Sequence, residues 1–318
     1  MLVLPQVGMA RSVEPEHNVE LDALCDWIEA SLAFTNIKFI SGSNIVDVLT
    51  EEEIYASQEF AWEFVDNAFA ELSRRGECLS GNSPFKINGD RIVRTKDWED
   101  VPAYGFCLAL ACAKWYPKWA SSMVMPGKKR PDYSEQGQLF EQITASALEQ
   151  LLPGWKVFRT GWSPDNPKKI KQVVADVSLF LREPAKEIEP WMSSEANEAG
   201  LDIVCCRHFN DARAGLPTIF VQCASGKHAE HKLKTPDEKE WGKVINFTAV
   251  FPHRSFVTPF VFTDAEFKRV ANKVDGLLLD RIRLLSAGND GGAWLPKKLS
   301  KHLSQWVTPR VAKLHRAA

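Results

Sequence analysis

The chain has 318 residues, 45% of them hydrophobic and 25% charged, with a formal net charge of -2. That is enough apolar material to core one large domain or two of ordinary size, and the composition reads as a soluble globular protein. The longest uninterrupted apolar run, FCLALACA at 106–113, is far short of a bilayer span, and MLVLPQVGMA has no basic n-region, so a membrane anchor and a secretory leader are excluded and the cytoplasm is expected.

Seven cysteines are odd in number, include an adjacent pair and form no CxxC, which points to reduced core thiols rather than disulfides or zinc. Charge is unevenly spread. Residues 1–100 hold 19 acidic and 8 basic side chains, whereas 276–318 hold 8 basic and 2 acidic ones. Either part of the molecule faces a polyanion, or the basic end complements the acidic part of the same chain.

In chain order, the first 125 residues read as helical. NVELDALCDWIEASLAF (18–34) sets Leu21, Leu24, Cys25, Trp27, Ile28 and Leu32 at helical spacing behind Asn18 as an N-cap. TEEEIYASQEFAWEFVDNAFAELSRRG (50–76) predicts one long helix, opened by a Thr50–Glu53 capping box and closed by Arg74, Arg75 and Gly76. VPAYGFCLALACAKWY (101–116) is apolar nearly all round, which predicts a helix at the centre of this region. The stretch carries no catalytic constellation, repeat or Gly-rich phosphate loop.

MPGKKRPDYSEQG (125–137) breaks the helical pattern with two prolines, two glycines and three consecutive bases, and marks a domain boundary. Beyond it the pattern predicts a helix over 134–152, a strand WKVFRT (155–160), a polar excursion, then strands GLDIVCCRHF (200–209) and LPTIFVQCAS (216–225). KVINFTAVF (243–251) and SFVTPFVFT (255–263) read as further strand, and 264–287 as helix. The expected organisation is a helical region (1–125), an α/β core with a largely buried sheet (126–287) and a basic C-terminal tail (288–318).

The chemistry lies in polar residues that interrupt apolar patterns. On LFEQITASALEQLL, Phe140, Ile143, Ala147 and Leu151 centre the apolar face; Glu141 lies at its margin and Glu149 points away. In LDIVCC, Asp202 shares a strand face with Val204 and Cys206, and in TIFVQCAS, Gln222 shares one with Phe220 and Ala224. An unpartnered buried Gln222 costs about 1–3 kcal/mol, so it needs a function or a hydrogen-bonded structural role. Together Glu141, Asp202 and the Gln222 carbonyl can surround one Mg²⁺ or Mn²⁺, which favours oxygen ligands, with Lys227 beside it to stabilise an oxyanion.

This order resembles the PD-(D/E)XK, or restriction-endonuclease-like, nuclease superfamily, on the stretches LFEQITASAL, EAGLDIV and IFVQCASGK, over roughly residues 130–285. The resemblance implies a mixed sheet flanked by helices and metal-dependent hydrolysis of phosphodiester bonds in nucleic acid, usually DNA. It assigns Glu141, Asp202 and Gln222 to the metal site. The family's lysine belongs two residues after the Gln, where this chain has Ala224; Lys227 is the nearest replacement and His228 the second. Two readings follow: an active nuclease with a displaced lysine, in the setting of a bacterial restriction or phage-defence effector, or an inactive nucleic-acid-binding or protein-interaction module. The helical region is assigned to regulation, recognition or assembly, through a protein partner or self-association.

Competing constellations are weaker. His228 and His231 with Cys205, Cys206 and Cys223 match no zinc spacing, and Cys223 with His228 would make a nucleophile of a thiol facing a strand core. Trp162 in RTGWSPDNPKKIKQ is a base-stacking candidate, and that loop and PGKKRP are candidates for phosphate contact.

Overall fold

The computed structural model describes residues 1–5, 7–9, 20–55, 57–122, 133–160, 169–187, 200–226, 229–248, 251–289 and 293–315. Among them the order is α1 (Leu21–Phe34), β1 (Phe39–Ser41), α2 (Gly42–Glu51), α3 (Gln58–Cys78), β2 (Phe85–Asn88), β3 (Arg91–Arg94), α4 (Pro102–Trp115) and α5 (Pro117–Ser122). Next come α6 (Tyr133–Leu151), β4 (Lys156–Arg159), α7 (Ile170–Leu181), β5 (Ile203–Cys206), β6 (Thr218–Cys223), α8 (Glu238–Val244) and β7 (His253–Val257). The chain ends with α9 (Asp264–Val274), β8 (Leu277–Leu279), α10 (Arg281–Leu285) and α11 (Lys297–Val311). The architecture is mixed α/β, and no helix of the described residues is long and apolar enough to cross a membrane.

Two compact units result: Met1–Pro131 with Pro259–Thr263 and Arg281–Ala318, and Asp132–Thr258 with Asp264–Asp280. The first is mainly helical, with a small antiparallel sheet ordered β1-β3-β2. As its all-round apolar sequence requires, α4 is buried on every side, and α1 and α11 pack against it. Residues expected as a basic tail thus contain a helix whose Leu299, Leu303, Trp306 and Val307 are core, with Trp306 edge-on to Phe106 of α4. The long helix expected over 50–76 is two helices. Thr50 is no cap; inside α2 its hydroxyl donates to Val46 O, and Glu53 turns the chain through a left-handed conformation. The capping box belongs to Ser41 and Asn44 at the start of α2, and Ser57 caps α3.

One buried network organises this unit. Helical spacing puts Asp22, Asp26 and Glu29 on one stripe of α1, and Arg75 of α3 reaches all three while its Nε donates to Glu71 Oε1 at 2.8 Å. Arg281 Nη2 donates to Asp26 Oδ1 at 2.6 Å and to Glu29 Oε2 at 2.8 Å, and Trp115 Nε1 donates to Asp26 Oδ2 at 2.9 Å. Arg281 is wholly buried, and its Nε and Nη1 have no partner among the described residues. Burial alone would raise the Asp26 carboxyl; Arg281, Arg75 and Trp115 outweigh it and hold it below its ordinary value. Glu71 is likewise held low, by Arg74 and Arg75 against burial.

The second unit carries a five-stranded sheet ordered β4-β5-β6-β7-β8. The first three strands are antiparallel; β6, β7 and β8 run parallel, each parallel step containing a helix as such crossovers require. α6 packs on β4, β5 and β6. α7 lies in the stretch expected as a polar excursion. Its Ile170, Val173, Val174, Val177 and Leu181 join Val204, Cys206, Phe220 and Trp241 in one core cluster. β8 was hidden in the apolar run expected as helix, and most of 243–251 is not strand: α8 ends at Val244, and Ile245 makes a single bridge to Ala185.

Two measurements check the network. Arg75→Met, which strands four buried carboxylates, should lower unfolding free energy by about 3–5 kcal/mol in denaturant titration. Because the Asp26 and Glu71 carboxyls are lower in the folded than in the unfolded chain, their contribution is complete above the ordinary carboxylate range of about 4 and is lost as pH falls through the folded-state values; the melting temperature should drop there.

Candidate functional site

The register Ile203↔Val221 of β5 and β6, continued by one residue, sets Asp202 opposite Gln222 at the end of the strand pair. Asp202 N donates to Val221 O, and Thr160 N, one residue past β4, donates to Asp202 O, both at 3.0 Å. The Asp202 carboxylate is buried (5% exposed), and its Oδ2 accepts from Gln222 Nε2 at 2.5 Å and from the Cys223 backbone N–H at 2.6 Å.

Gln222 is 1% exposed and its amide is fully placed. Nε2 faces two acceptors, Asp202 Oδ2 and Cys223 O, while Oε1 lies 3.1 Å from Thr235 Oγ1. The carbonyl assigned to a cation from sequence is therefore turned to Thr235, and the amide nitrogen holds Asp202. Gly200 closes the other side in a left-handed conformation (φ 69°), where a Cβ would lie 2.8 Å from Thr235 Cβ and 3.1 Å from Gln222 Oε1. Only glycine suits both the conformation and the approach.

Glu141 reaches the same end of the sheet from α6. Its Oε2 accepts from Arg159 Nη2 of β4 at 3.2 Å, and the side chain is mostly buried. One turn earlier, Gln136 donates to Ser225 O at 3.1 Å and fastens α6 to the chain leaving β6. Cys223 lies among these groups. Burial first, then Asp202 and Glu141, push its thiol well above the ordinary range, so it is a neutral core thiol and no nucleophile. Burial pushes Cys205 and Cys206 up to about 12 as well.

Asp202, Glu141 and Gln222 are thus brought to one end of the sheet. Lys227 and His228 lie outside the described residues, as do Trp162 and PGKKRP. Ala224, at the family's lysine position, is buried and donates its N–H to Val257 O. No group of three or more His, Cys, Asp and Glu able to hold a metal occurs among the described residues. The donor set that fits a divalent cation is the carboxylate pair Asp202 and Glu141; Mg²⁺ keeps several waters and is held by one or two carboxylates elsewhere. The sequence reading missed Gln136, Arg159, Thr160 and Thr235. Gln136 had a signal: it interrupts the apolar stripe of Phe140, Ile143 and Ala147, as Gln222 interrupts its strand face.

In comparisons with known proteins, no family model, no curated protein and no solved structure matches the chain.

The Asp202–Gln222 contact has a direct test. Gln222→Glu sets two carboxyls at hydrogen-bond distance, tolerable only with a shared proton, so the variant's folded state binds that proton more tightly than its unfolded state does. Its stability should fall by about 1–3 kcal/mol as pH rises from mildly acidic to mildly alkaline, whereas wild type should show no such fall in the same denaturant titrations.

Proposed function

We propose that the protein is a metal-dependent nuclease of the restriction-endonuclease-like class, cutting phosphodiester bonds in nucleic acid, with DNA as the expected substrate and the cytoplasm as its place of work. The single observation that carries the reading is the convergence of Asp202, from the β5 edge of the antiparallel strands, and Glu141, from the preceding helix, at one end of the mixed sheet. The order α6, β4, β5, β6, α8, β7 supports it too, being that of a helix giving Glu, strands giving Asp and then Gln, and a following helix.

Asp202 and Glu141 would hold Mg²⁺ or Mn²⁺, which when bound there supplies Lewis-acid stabilisation of phosphate charge and activation of water. Gln222 and the Cys223 N–H fix one oxygen of Asp202 and leave Oδ1 as its other donor atom. Arg159 beside Glu141, and exposed Lys232 and Lys234 flanking Thr235, offer positive charge to a phosphate backbone. Lys227, or His228 in its place, takes the role of the lysine missing at Ala224. The restriction or phage-defence setting, and a regulatory or assembly role for the helical unit, come with the family resemblance alone.

A second reading is favoured by one observation. Gln222 turns its carbonyl away from Asp202 and Ala224 fills the lysine position, as in a site that has lost catalysis and binds nucleic acid or protein only.

Supercoiled plasmid separates the two. Wild type should nick or linearise it with Mg²⁺ or Mn²⁺ and not with EDTA. Asp202→Asn should lower the rate by about 100-fold or more, roughly 2.7 kcal/mol, with a near-normal melting transition. Asn is the proper substitution, because Ala would strand the Gln222 and Cys223 donors and confound activity with stability. Wild type that binds DNA and never cuts it establishes the second reading.

A further inference from the structure

The mainly helical unit encloses a cavity of about 430 Å³, lined by α3, the β2–β3 hairpin and Tyr104 of α4. This is within the range of small-molecule sites. Leu72, Leu79, Phe85 and Ile92 make apolar walls, and Glu29, Arg75 and Tyr104 bring charged and polar groups to it.

The polar groups share one property: their protons are already used. Every nitrogen of the Arg75 guanidinium donates to a carboxylate, Nε to Glu71, Nη1 to Asp26 and Glu29, and Nη2 to Asp22. Ser73 Oγ donates to Glu77, Ser83 Oγ to Phe85 O, and Thr95 Oγ1 to Ser83 O. Tyr104 stays a phenol, because burial and then the Glu29 charge push its ionisation well above the ordinary range, and its hydroxyl is committed to Glu29. What these groups can still offer a ligand is lone pairs. Charge points the same way. Four carboxylates in the network (Asp22, Asp26, Glu29, Glu71) face three guanidiniums (Arg74, Arg75, Arg281), an excess of one negative charge, and Glu29 carries a carboxylate of that network to the cavity wall.

A second, independent observation concerns Gly76, which lines the cavity from the last turn of α3. Its φ is not left-handed, and a Cβ there would meet nothing closer than Ser83 Oγ at 3.7 Å. Neither conformation nor packing calls for glycine, which is less favourable than alanine in a helix by up to about 1 kcal/mol. Any longer side chain would occupy the cavity.

We propose that this cavity is a binding site for a small organic cation rich in N–H donors, an amidine-, guanidine- or amine-type head on an apolar body. The head meets the Glu29 carboxylate and the hydroxyl lone pairs, and the body packs on Leu72, Leu79, Phe85 and Ile92. The site stands apart from the nuclease reading and does not depend on it.

Benzamidine and benzoate, alike in shape and opposite in charge, make the test on the full-length protein, by thermal melting and titration calorimetry. Millimolar benzamidine should bind and raise the melting temperature, and benzoate should do neither. Gly76→Leu should weaken benzamidine binding at least about tenfold, which is 1.4 kcal/mol, while retaining the wild-type circular dichroism. Gly76→Ala, which adds one methyl and suits the helix, should fold as well and shift affinity in the same direction by less. Benzoate binding as tightly as benzamidine, no binding of benzamidine at millimolar concentration, or equal affinity for wild type and both variants overturns the proposal.

Discussion

Asp202 is buried one residue before β5, and three separate segments of its unit are arranged around that carboxylate. Gln222 and the Cys223 N–H come from the end of β6, Thr160 N–H comes from the end of β4, and Thr235 and Gly200 lock the far side of the Gln222 amide. A buried donor or acceptor left without a partner costs about 1–3 kcal/mol, so these contacts stand or fall together. Their geometry rests on strand register. A slip of one residue between β5 and β6 would put Val221 where Gln222 now faces Asp202, and it would turn Val204 and Phe220 out of the core they share with α7 and α8. Apolar packing therefore aims the polar site.

The helical unit meets the same constraint by another route. Its buried carboxylates are answered by guanidiniums, one of which arrives from far along the chain: Arg281 pairs with Asp26 across 255 residues of sequence. This settles for two residues the question raised by the uneven charge distribution. Arg281 lies in the network, and Arg310 is buried with its guanidinium 3.9 Å over the Trp306 ring, so both serve the core of their own unit and neither is offered to a polyanion. Lys297, Lys298 and Lys301 on the same C-terminal segment remain exposed.

Long periodic segments were legible in the sequence, because an apolar stripe or an all-apolar run has few ways to be buried: α1, α4, α6, β5 and β6 fall within a few residues of expectation. What failed was local. The Thr50–Glu53 pattern is a sound capping box in form, but Ser41 and Asn44 cap the start of that helix, and the chain turns at Glu53 with Ile54 and Tyr55 buried. β8 is three residues inside a run of leucines, too short for period two to speak. α7 was masked by its Pro- and Lys-rich approach. In the site, polar residues on apolar faces were the readable signal, and they located Asp202, Gln222 and the neighbourhood of Glu141. The direction in which the Gln222 amide points was beyond reach, since it depends on Thr235, which no spacing links to it.

That direction bears on chemistry. With Nε2 between Asp202 Oδ2 and Cys223 O, turning the amide over would set Oε1 against two acceptor oxygens and forfeit both hydrogen bonds. Only positive charge or a proton between the oxygens reverses that balance. The amide orientation is thereby linked to what Asp202 holds. With the carboxylate held by N–H donors alone the nitrogen faces it, and a cation shared by Asp202 and the side-chain carbonyl would draw Oε1 round and release Thr235 to Lys232 O, which already lies 2.7 Å from its hydroxyl. Glutamine is the one residue of this size that can serve both arrangements: glutamate at the same place would repel Asp202 without a cation, and an apolar side chain would leave the Cys223 carbonyl and Asp202 without the amide donor.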